Sequence, residues 1–135
     1  SIYRSIDYLT PNESEAEALV GHPLARDEQI AAAAATLRQR GVGHVLITLG
    51  ERGVYIDSDA FHGTVPAVQA GPVVDTIGAG DAFNGALAAA LAAGQALPEA
   101  AHRACVTAGL SVTKEGAATS LPSKELVDKH MIRHY

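Results

Sequence analysis

The stretch VVDTIGAGDAFNGALAAAL, residues 73–91, most constrains what this chain can fold into. Two valines lead into a segment containing Gly78, Ala79 and Gly80, and a long Ala- and Leu-rich run without proline follows Asp81. This order predicts a strand, a tight turn and a helix. Glycines let the backbone approach a ligand closely, and the N–H groups of a first helical turn attract anions. The stretch therefore predicts an anion site at the start of a helix.

Asp81 has two possible roles at this position. A carboxylate beside an anion site can take the proton of an attacking hydroxyl group, as a general base does. Asp is also a common helix-capping residue, and for an isolated Gly-Ala-Gly-Asp this structural role is favoured.

No GxxxxGK[ST] sequence occurs, so a phosphate site in this chain would not be a P-loop.

The longer segment DTIGAGDAFNGAL resembles the C-terminal signature of the ribokinase-like (PfkB) family of carbohydrate and nucleoside kinases. The resemblance implies that Gly78, Ala79 and Gly80 form an anion hole for the transferring phosphoryl group and that Asp81 activates the sugar hydroxyl. It implies ATP-dependent phosphorylation of a sugar. It also implies an α/β fold, as the C-terminal portion of a three-layer structure with a mostly parallel sheet flanked by helices.

The segment TPNESEAEALVG follows a predicted strand end and begins a short predicted helix, closed by a glycine. It resembles the family's Asn-Glu-x-Glu motif, which implies that Asn12, Glu13 and Glu15 order Mg²⁺ and its waters near the ATP phosphates. Magnesium prefers oxygen ligands, often through water. The alternative is an acidic first turn that complements the helix dipole. Beside the kinase signature, the metal role is favoured for Glu15.

The segment LITLGERGVYI predicts a strand, a glycine turn and a second strand. It resembles the family's nucleotide-contacting segment, which places Thr48, Gly50 and Gly53 along the ATP. Without the resemblance, a plain strand-turn-strand is an equally good interpretation.

A small-residue helix is predicted from Glu99 to Val112 after Pro98, with Cys105 near its middle. The resemblance implies that this helix walls the adenine pocket, so that Cys105 would contact the base. A small buried hydrophobic residue is the alternative, and it is the favoured interpretation of a free cysteine on an Ala-rich helix.

The resemblance also implies a site for a monovalent cation, K⁺, between the signature and the loop that follows this helix. Carbonyl oxygens and at most one formal charge suit such an ion. The candidate ligands are the Asp75 carboxylate, the carbonyl oxygens of Ile77, Ser111, Lys114 and Gly116, and the oxygen atoms of Ser120.

Composition narrows the partners of this 135-residue chain. A net charge of −5 with scattered Lys and Arg, and the lack of Trp, argue against nucleic acid and favour small molecules. One cysteine fits a reducing compartment, and no apolar run is long enough to span a membrane, so we expect a cytoplasmic protein.

Residues 1–135 read as a single partial domain, because the resemblance covers only the C-terminal half of a family member. The expected N-terminal half carries a lid and most sugar contacts. The alternative function is therefore an ATP-binding fragment without catalysis, and the sugar itself is left open. We also expect a homodimer or self-association, because a sheet lacking those strands would expose an apolar edge.

Overall fold

The computed structural model describes residues 2–69, 71–74, 78–113 and 127. The chain forms two compact units, Ser1–Val65 and Pro66–Tyr135. No helix within the described residues is both long and apolar enough to cross a membrane. That residues 1–135 make up a single partial domain stays a prediction.

The first unit holds a mixed four-stranded sheet in the order β1-β2-β3-β4. Its elements are a 3₁₀ helix (Ile2–Ser5), β1 (Tyr8–Leu9), α1 (Glu13–Val20), α2 (Asp27–Gln39), β2 (His44–Thr48), a 3₁₀ turn (Gly50–Arg52), β3 (Val54–Asp57) and β4 (His62–Val65). The predicted α/β class is confirmed.

Of the three strand pairs in this sheet, β1–β2 is parallel, whereas β2–β3 and β3–β4 are antiparallel. The described sheet is therefore mixed, and the strand, glycine turn and second strand predicted for LITLGERGVYI are present as β2, the 3₁₀ turn and β3. The reason for the mixed pairing lies in the connections. Two parallel neighbours need a crossover connection of a dozen residues or more, which α1 and α2 supply between β1 and β2. Short turns join β2 to β3 and β3 to β4, so these pairs are antiparallel.

The core of the first unit lies between α2 and β2. The buried face of α2 consists of Ile30, Ala33, Ala34 and Leu37. On β2, residues 45–47 are all 0% exposed, so the strand is covered on both faces. This burial agrees with the continuous apolar run that the sequence shows there.

Helix boundaries in this unit follow the local signals. Asn12 is the N-cap of α1, and Gly21 ends that helix in the left-handed region at φ 81°. The strand whose end is predicted before the Asn-Glu-x-Glu segment is short, since only Tyr8–Leu9 pair continuously with β2. Beyond them the contact is an isolated bridge between Asn12 and Thr48.

The second unit holds α3 (Ala79–Ala92) and α4 (Leu97–Ser111), which pack against each other. Helix α3 begins two residues before Asp81, and Pro98 is the second residue of α4. A Cβ atom on Gly109 would lie 2.0 Å from the Val68 carbonyl oxygen, so only glycine allows this close approach. After residue 113 the structure describes only Val127, which is helical and buried.

Candidate active site

The start of α3 has the geometry of an anion site. Gly78 is the N-cap, and its φ of 86° lies in the left-handed region that favours glycine. The Ala82 N–H donates to the Gly78 carbonyl oxygen at 2.9 Å, which closes the first helical turn. The N–H groups of Ala79, Gly80 and Asp81 precede this bond and have no acceptor within the helix. N–H groups of this kind can donate to a negatively charged ligand.

Gly80 is not required by the packing of the described residues. A Cβ atom built on it would meet no atom of the described residues outside its own helical turn within 4 Å, and its φ is not in the left-handed region. A helix prefers alanine to glycine by up to about 1 kcal/mol. Packing in the described part of the second unit therefore does not explain why residue 80 is glycine. The open space beside Gly80 suits a ligand that approaches the backbone.

Asp81 lies in the first turn of α3, and its side chain is exposed. Its carboxylate has no hydrogen bond or ion pair with any residue that the structure describes. Because the cap is Gly78, Asp81 is not the residue that begins the helix, although its charge still complements the helix dipole. The role of Asp81 as a general base stays a prediction.

In the first unit, Asn12 and Glu15 form a capping box. The Glu15 N–H donates to Asn12 Oδ1 at 2.8 Å, and the Asn12 N–H donates to Glu15 Oε1 at 2.9 Å. Both residues are exposed. Glu15 Oε2 takes no part in the box, so one carboxylate oxygen remains for a cation or its water. The helix-start interpretation of this segment is thus realised in the structure, and the metal role remains compatible with it.

Thr48 and the glycine turn lie beside this capping box. The Thr48 N–H donates to the Pro11 carbonyl oxygen at 2.9 Å, and Asn12 bridges Thr48 in parallel fashion. Gly50 and Gly53 flank the turn with φ of 59° and 96°. The carboxyl ends of β1 and β2 thus bring the Asn-Glu-x-Glu segment next to the turn that resembles a nucleotide-contacting segment. Such strand ends are common ligand sites in α/β sheets.

Arg52 is a residue of this site that sequence reasoning missed. Its Nη2 donates to Glu13 Oε2 at 2.9 Å, and its Nη1 lies 3.9 Å from Asp27 Oδ1. The arginine links the glycine turn to the first residues of α1 and α2. The sequence signal for Arg52 was an arginine placed between two turn glycines. Acidic residues at helix starts elsewhere in the chain were its possible partners. The pairing itself joins residues 39 positions apart and depends on the β1–β2 contact.

Cys105 is 6% exposed on α4, and burial raises the pKa of its thiol to about 12. The thiol is therefore protonated at neutral pH and behaves as a small buried group. Its proposed contact with adenine stays a prediction.

Of the cation candidates, only Ser111 lies within the described residues. It is the last residue of α4, and its Oγ donates to the Ala108 carbonyl oxygen at 2.8 Å. The predicted ligands Asp75, Ile77, Lys114, Gly116 and Ser120 lie outside the described residues. Within the described ranges, no three or more His, Cys, Asp or Glu side chains cluster as a metal site would require. Magnesium bound through water needs only one or two carboxylates, which Glu15 can supply.

Comparison with known proteins shows what this chain is similar to. Similar relatives include the ribokinase of Haemophilus influenzae, 38% identical over 122 residues, and the bifunctional protein HldE of Pseudomonas syringae, 41% identical over 126 residues. The matches cover 89% and 90% of this chain but only 39% and 26% of the two relatives, so the chain spans well under half of their length.

A solved structure of Arabidopsis thaliana ribokinase complexed with ribose and ATP has a TM-score of 0.91 to this chain at 37% identity. The similarity covers 96% of this chain and 42% of that one. The sequence profile of the pfkB family carbohydrate kinases matches residues 1–124. The chain therefore belongs to the pfkB family of carbohydrate kinases.

Proposed function

We propose that this protein catalyses the ATP-dependent phosphorylation of a sugar hydroxyl. The observation that carries the proposal is the start of α3, where three N–H groups without helical acceptors lie beside open space and the exposed carboxylate of Asp81. Family membership and the similarity to ribokinases support it.

The proposed reaction requires little covalent chemistry from these residues. Phosphoryl transfer depends mainly on positioning and on stabilising the charge of the transferring group. The N–H groups of Ala79 and Gly80, the backbone of Gly78 and the positive end of the α3 dipole would stabilise that charge. Asp81 would accept the proton of the sugar hydroxyl as that oxygen forms its bond to phosphorus.

ATP would lie along the glycine turn of the first unit, contacting Asn12, Thr48, Gly50 and Gly53, with Cys105 beside the base. Glu15 would hold Mg²⁺ through water, since its Oε2 lies outside the capping box. Bound magnesium supplies positive charge to the ATP phosphates. The support for this arrangement is the pairing of Asn12 with Thr48, together with the similarity to an Arabidopsis ribokinase that was solved with ATP bound.

A monovalent cation would bind to the set predicted from the sequence, which includes the Ser111 carbonyl oxygen. The last carbonyl groups of a helix lack helical donors, so Ser111 suits such a ligand role. An unchanged rate when a large organic cation replaces K⁺ in the assay would contradict this part of the proposal.

The proposal leaves the sugar open between several classes. Ribokinase and HldE relatives have similar identities to this chain, 38% and 41%, so overall similarity does not choose between their substrates. Ribose is the first sugar to test, because the Arabidopsis ribokinase structure was solved with ribose and ATP.

A second candidate function is ATP binding without catalysis by these 135 residues alone. The observation that favours it is the 39% coverage of the Haemophilus ribokinase, which leaves most of that relative's length unmatched. Sugar contacts supplied by the unmatched portion would then be missing.

One experiment separates the two functions. ADP release is measured in MgATP with and without each sugar of a panel containing ribose, fructose, other pentoses and hexoses, and nucleosides. Binding of a non-hydrolysable ATP analogue is followed in parallel by amide ¹⁵N correlation spectra. Sugar-dependent ADP release supports the kinase, and analogue binding without release supports the binding fragment. Neither binding nor release would contradict both.

We also propose self-association through the edge strand β1, which among the described residues pairs only with β2 and leaves Tyr8 42% exposed. A monomer in light scattering at micromolar concentration would contradict this. The single, buried cysteine suits a reducing compartment, so a cytoplasmic location is part of the proposal.

A further inference from the structure

We propose that Arg52 is a positioning residue that holds the nucleotide turn, residues 50–53, against the start of α1 through its ion pair with Glu13. This inference rests on the proposed function, because the turn matters for catalysis only if it contacts ATP. It assigns Arg52 a role that neither the sequence pattern nor the family resemblance indicated.

Apart from this ion pair, the turn is held by its own backbone hydrogen bonds. Its two glycines, Gly50 and Gly53, adopt positive φ and have wide backbone freedom. Its internal backbone hydrogen bonds are Arg52 N–H to Leu49 O at 3.2 Å, Gly53 N–H to Gly50 O at 3.1 Å and Leu49 N–H to Gly53 O at 2.8 Å. A Cβ atom on Gly50 would meet nothing within 4 Å, so side-chain packing does not restrain that glycine.

Arg52 supplies a restraint from outside the turn. Its guanidinium lies between the first residues of two helices, 2.9 Å from Glu13 Oε2 and 3.9 Å from Asp27 Oδ1. Glu13 follows Asn12 directly and precedes Glu15 by two positions. The ion pair thus joins the turn that would contact ATP to the segment that would order the metal.

The ion pair also gives the two acids of the Asn-Glu-x-Glu segment different roles. Glu13 is compensated by Arg52, whereas Glu15 uses one oxygen in the capping box and keeps the other. The geometry therefore makes Glu13 the anchor for Arg52 and leaves Glu15 as the acid available to a cation. The family resemblance alone would assign both acids to the metal.

The expected size of the effect follows from exposure. The side chains of Arg52 and Glu13 are 47% and 38% exposed, and an ion pair this exposed contributes little to folding. It can shift the population of the productive turn by at most about fivefold. Loss of the pair should therefore raise the KM for MgATP by up to about fivefold, while kcat at saturating MgATP and the urea midpoint stay near wild type.

The test compares Arg52→Gln, Glu13→Gln, the double variant and Arg52→Lys at saturating sugar. Arg26→Gln is the matched control, because it removes a 3.6 Å surface pair with Glu28 in the same unit. We expect each single variant to raise KM, the double variant to add nothing further, Arg52→Lys to restore part of the loss and Arg26→Gln to change nothing. Additive losses, an unchanged KM or an equal loss in Arg26→Gln would overturn the proposal.

Hydrogen exchange of the Gly53 amide keeps the proposal testable if the wild-type chain releases no ADP. That result would count against the proposed kinase activity, but the anchor would still protect the hydrogen bond from Gly53 N–H to Gly50 O. Exchange at Gly53 should be several-fold faster in Arg52→Gln and Glu13→Gln than in wild type and in Arg26→Gln. Equal exchange in all four proteins would overturn the positioning role.

Discussion

Asn12 and Glu15 exchange two hydrogen bonds across the start of α1, one through each side chain. Glutamine is also suited to the Glu15 position of a capping box, so Glu15→Gln should keep the free energy of unfolding within about 0.5 kcal/mol of wild type. The substitution removes the charge proposed to attract Mg²⁺. We therefore expect the Mg²⁺ concentration for half-maximal activity to rise. Urea unfolding and a Mg²⁺ titration of the rate check the two parts separately.

The control for this prediction is Asn12→Ala, which breaks the cap itself and should cost about 1 kcal/mol of unfolding free energy. An unchanged Mg²⁺ requirement in Glu15→Gln would mean that the acid serves the helix start alone.

Asp81→Asn should lower kcat at least about a hundredfold, the usual contribution of a general base, with little change in ATP affinity. The amide keeps the shape of the side chain but cannot accept the proton. Glu99→Gln is a matched control, since Glu99 is an exposed acid in the first turn of α4 and complements a helix dipole in the same way. Steady-state rates at saturating MgATP make the comparison. A near-wild-type rate for Asp81→Asn would remove Asp81 from the catalytic step.

Gly80→Ala should stabilise the protein by up to about 1 kcal/mol and lower activity at least tenfold, on the order of one lost transition-state contact. The added methyl group meets no described atom, so it would occupy the space proposed for the phosphoryl group. Gly85→Ala is the control, because Gly85 is exposed on the same helix and also has nothing within 4 Å. It should gain similar stability and keep its activity. Thermal unfolding and initial rates distinguish the two variants, and full activity in Gly80→Ala would contradict the anion site.

Most of the fold could be predicted from local signals in the sequence. The glycine that closes the segment TPNESEAEALVG predicted the end of α1, and the segment LITLGERGVYI predicted two strands joined by a glycine turn. The cap of α3 was misplaced by three residues, because Asp81 looks like a cap and the left-handed Gly78 is a less common one. The strand predicted just before the signature is absent from the described residues, since Val73 and Val74 lie outside every strand and are 60% and 59% exposed. Two β-branched residues are too weak a signal to define a strand without a partner to pair with.

The candidate site could be predicted only as separate segments. Motifs identified Asn12, Glu15 and the turn glycines, and the sheet then brought them side by side. The Arg52–Glu13 ion pair could not be predicted, because nothing local to either residue indicates the other.

Burial of Cys105 should make stability fall at alkaline pH. The pKa of the thiol rises from 9.0 to about 12 on folding, so between these values the unfolded chain loses a proton that the folded chain retains. The free energy of unfolding therefore decreases as pH rises from 9 to 12, by up to about 1.4 kcal/mol per pH unit from this group. The contribution is fully present below pH 9.

Cys105→Ala removes this group and should flatten the alkaline slope in urea unfolding between pH 9 and pH 11. Tyr55, whose pKa is also raised by burial and then by Asp57, remains in both proteins and provides the background slope. Equal slopes in the two proteins would show that the thiol is more accessible than its 6% exposure indicates.

The single parallel pair in the described sheet has a consequence for the order of folding. Strands β2, β3 and β4 are joined by short turns, so their pairing closes small loops and can form early. Strand β1 reaches β2 only after α1 and α2 have been spanned, and it contributes just two paired residues. The β1–β2 contact should therefore form late and open first. Because Asn12 follows β1 closely, the approach of the Asn-Glu-x-Glu segment to the glycine turn would be among the last native contacts that the refolding chain acquires.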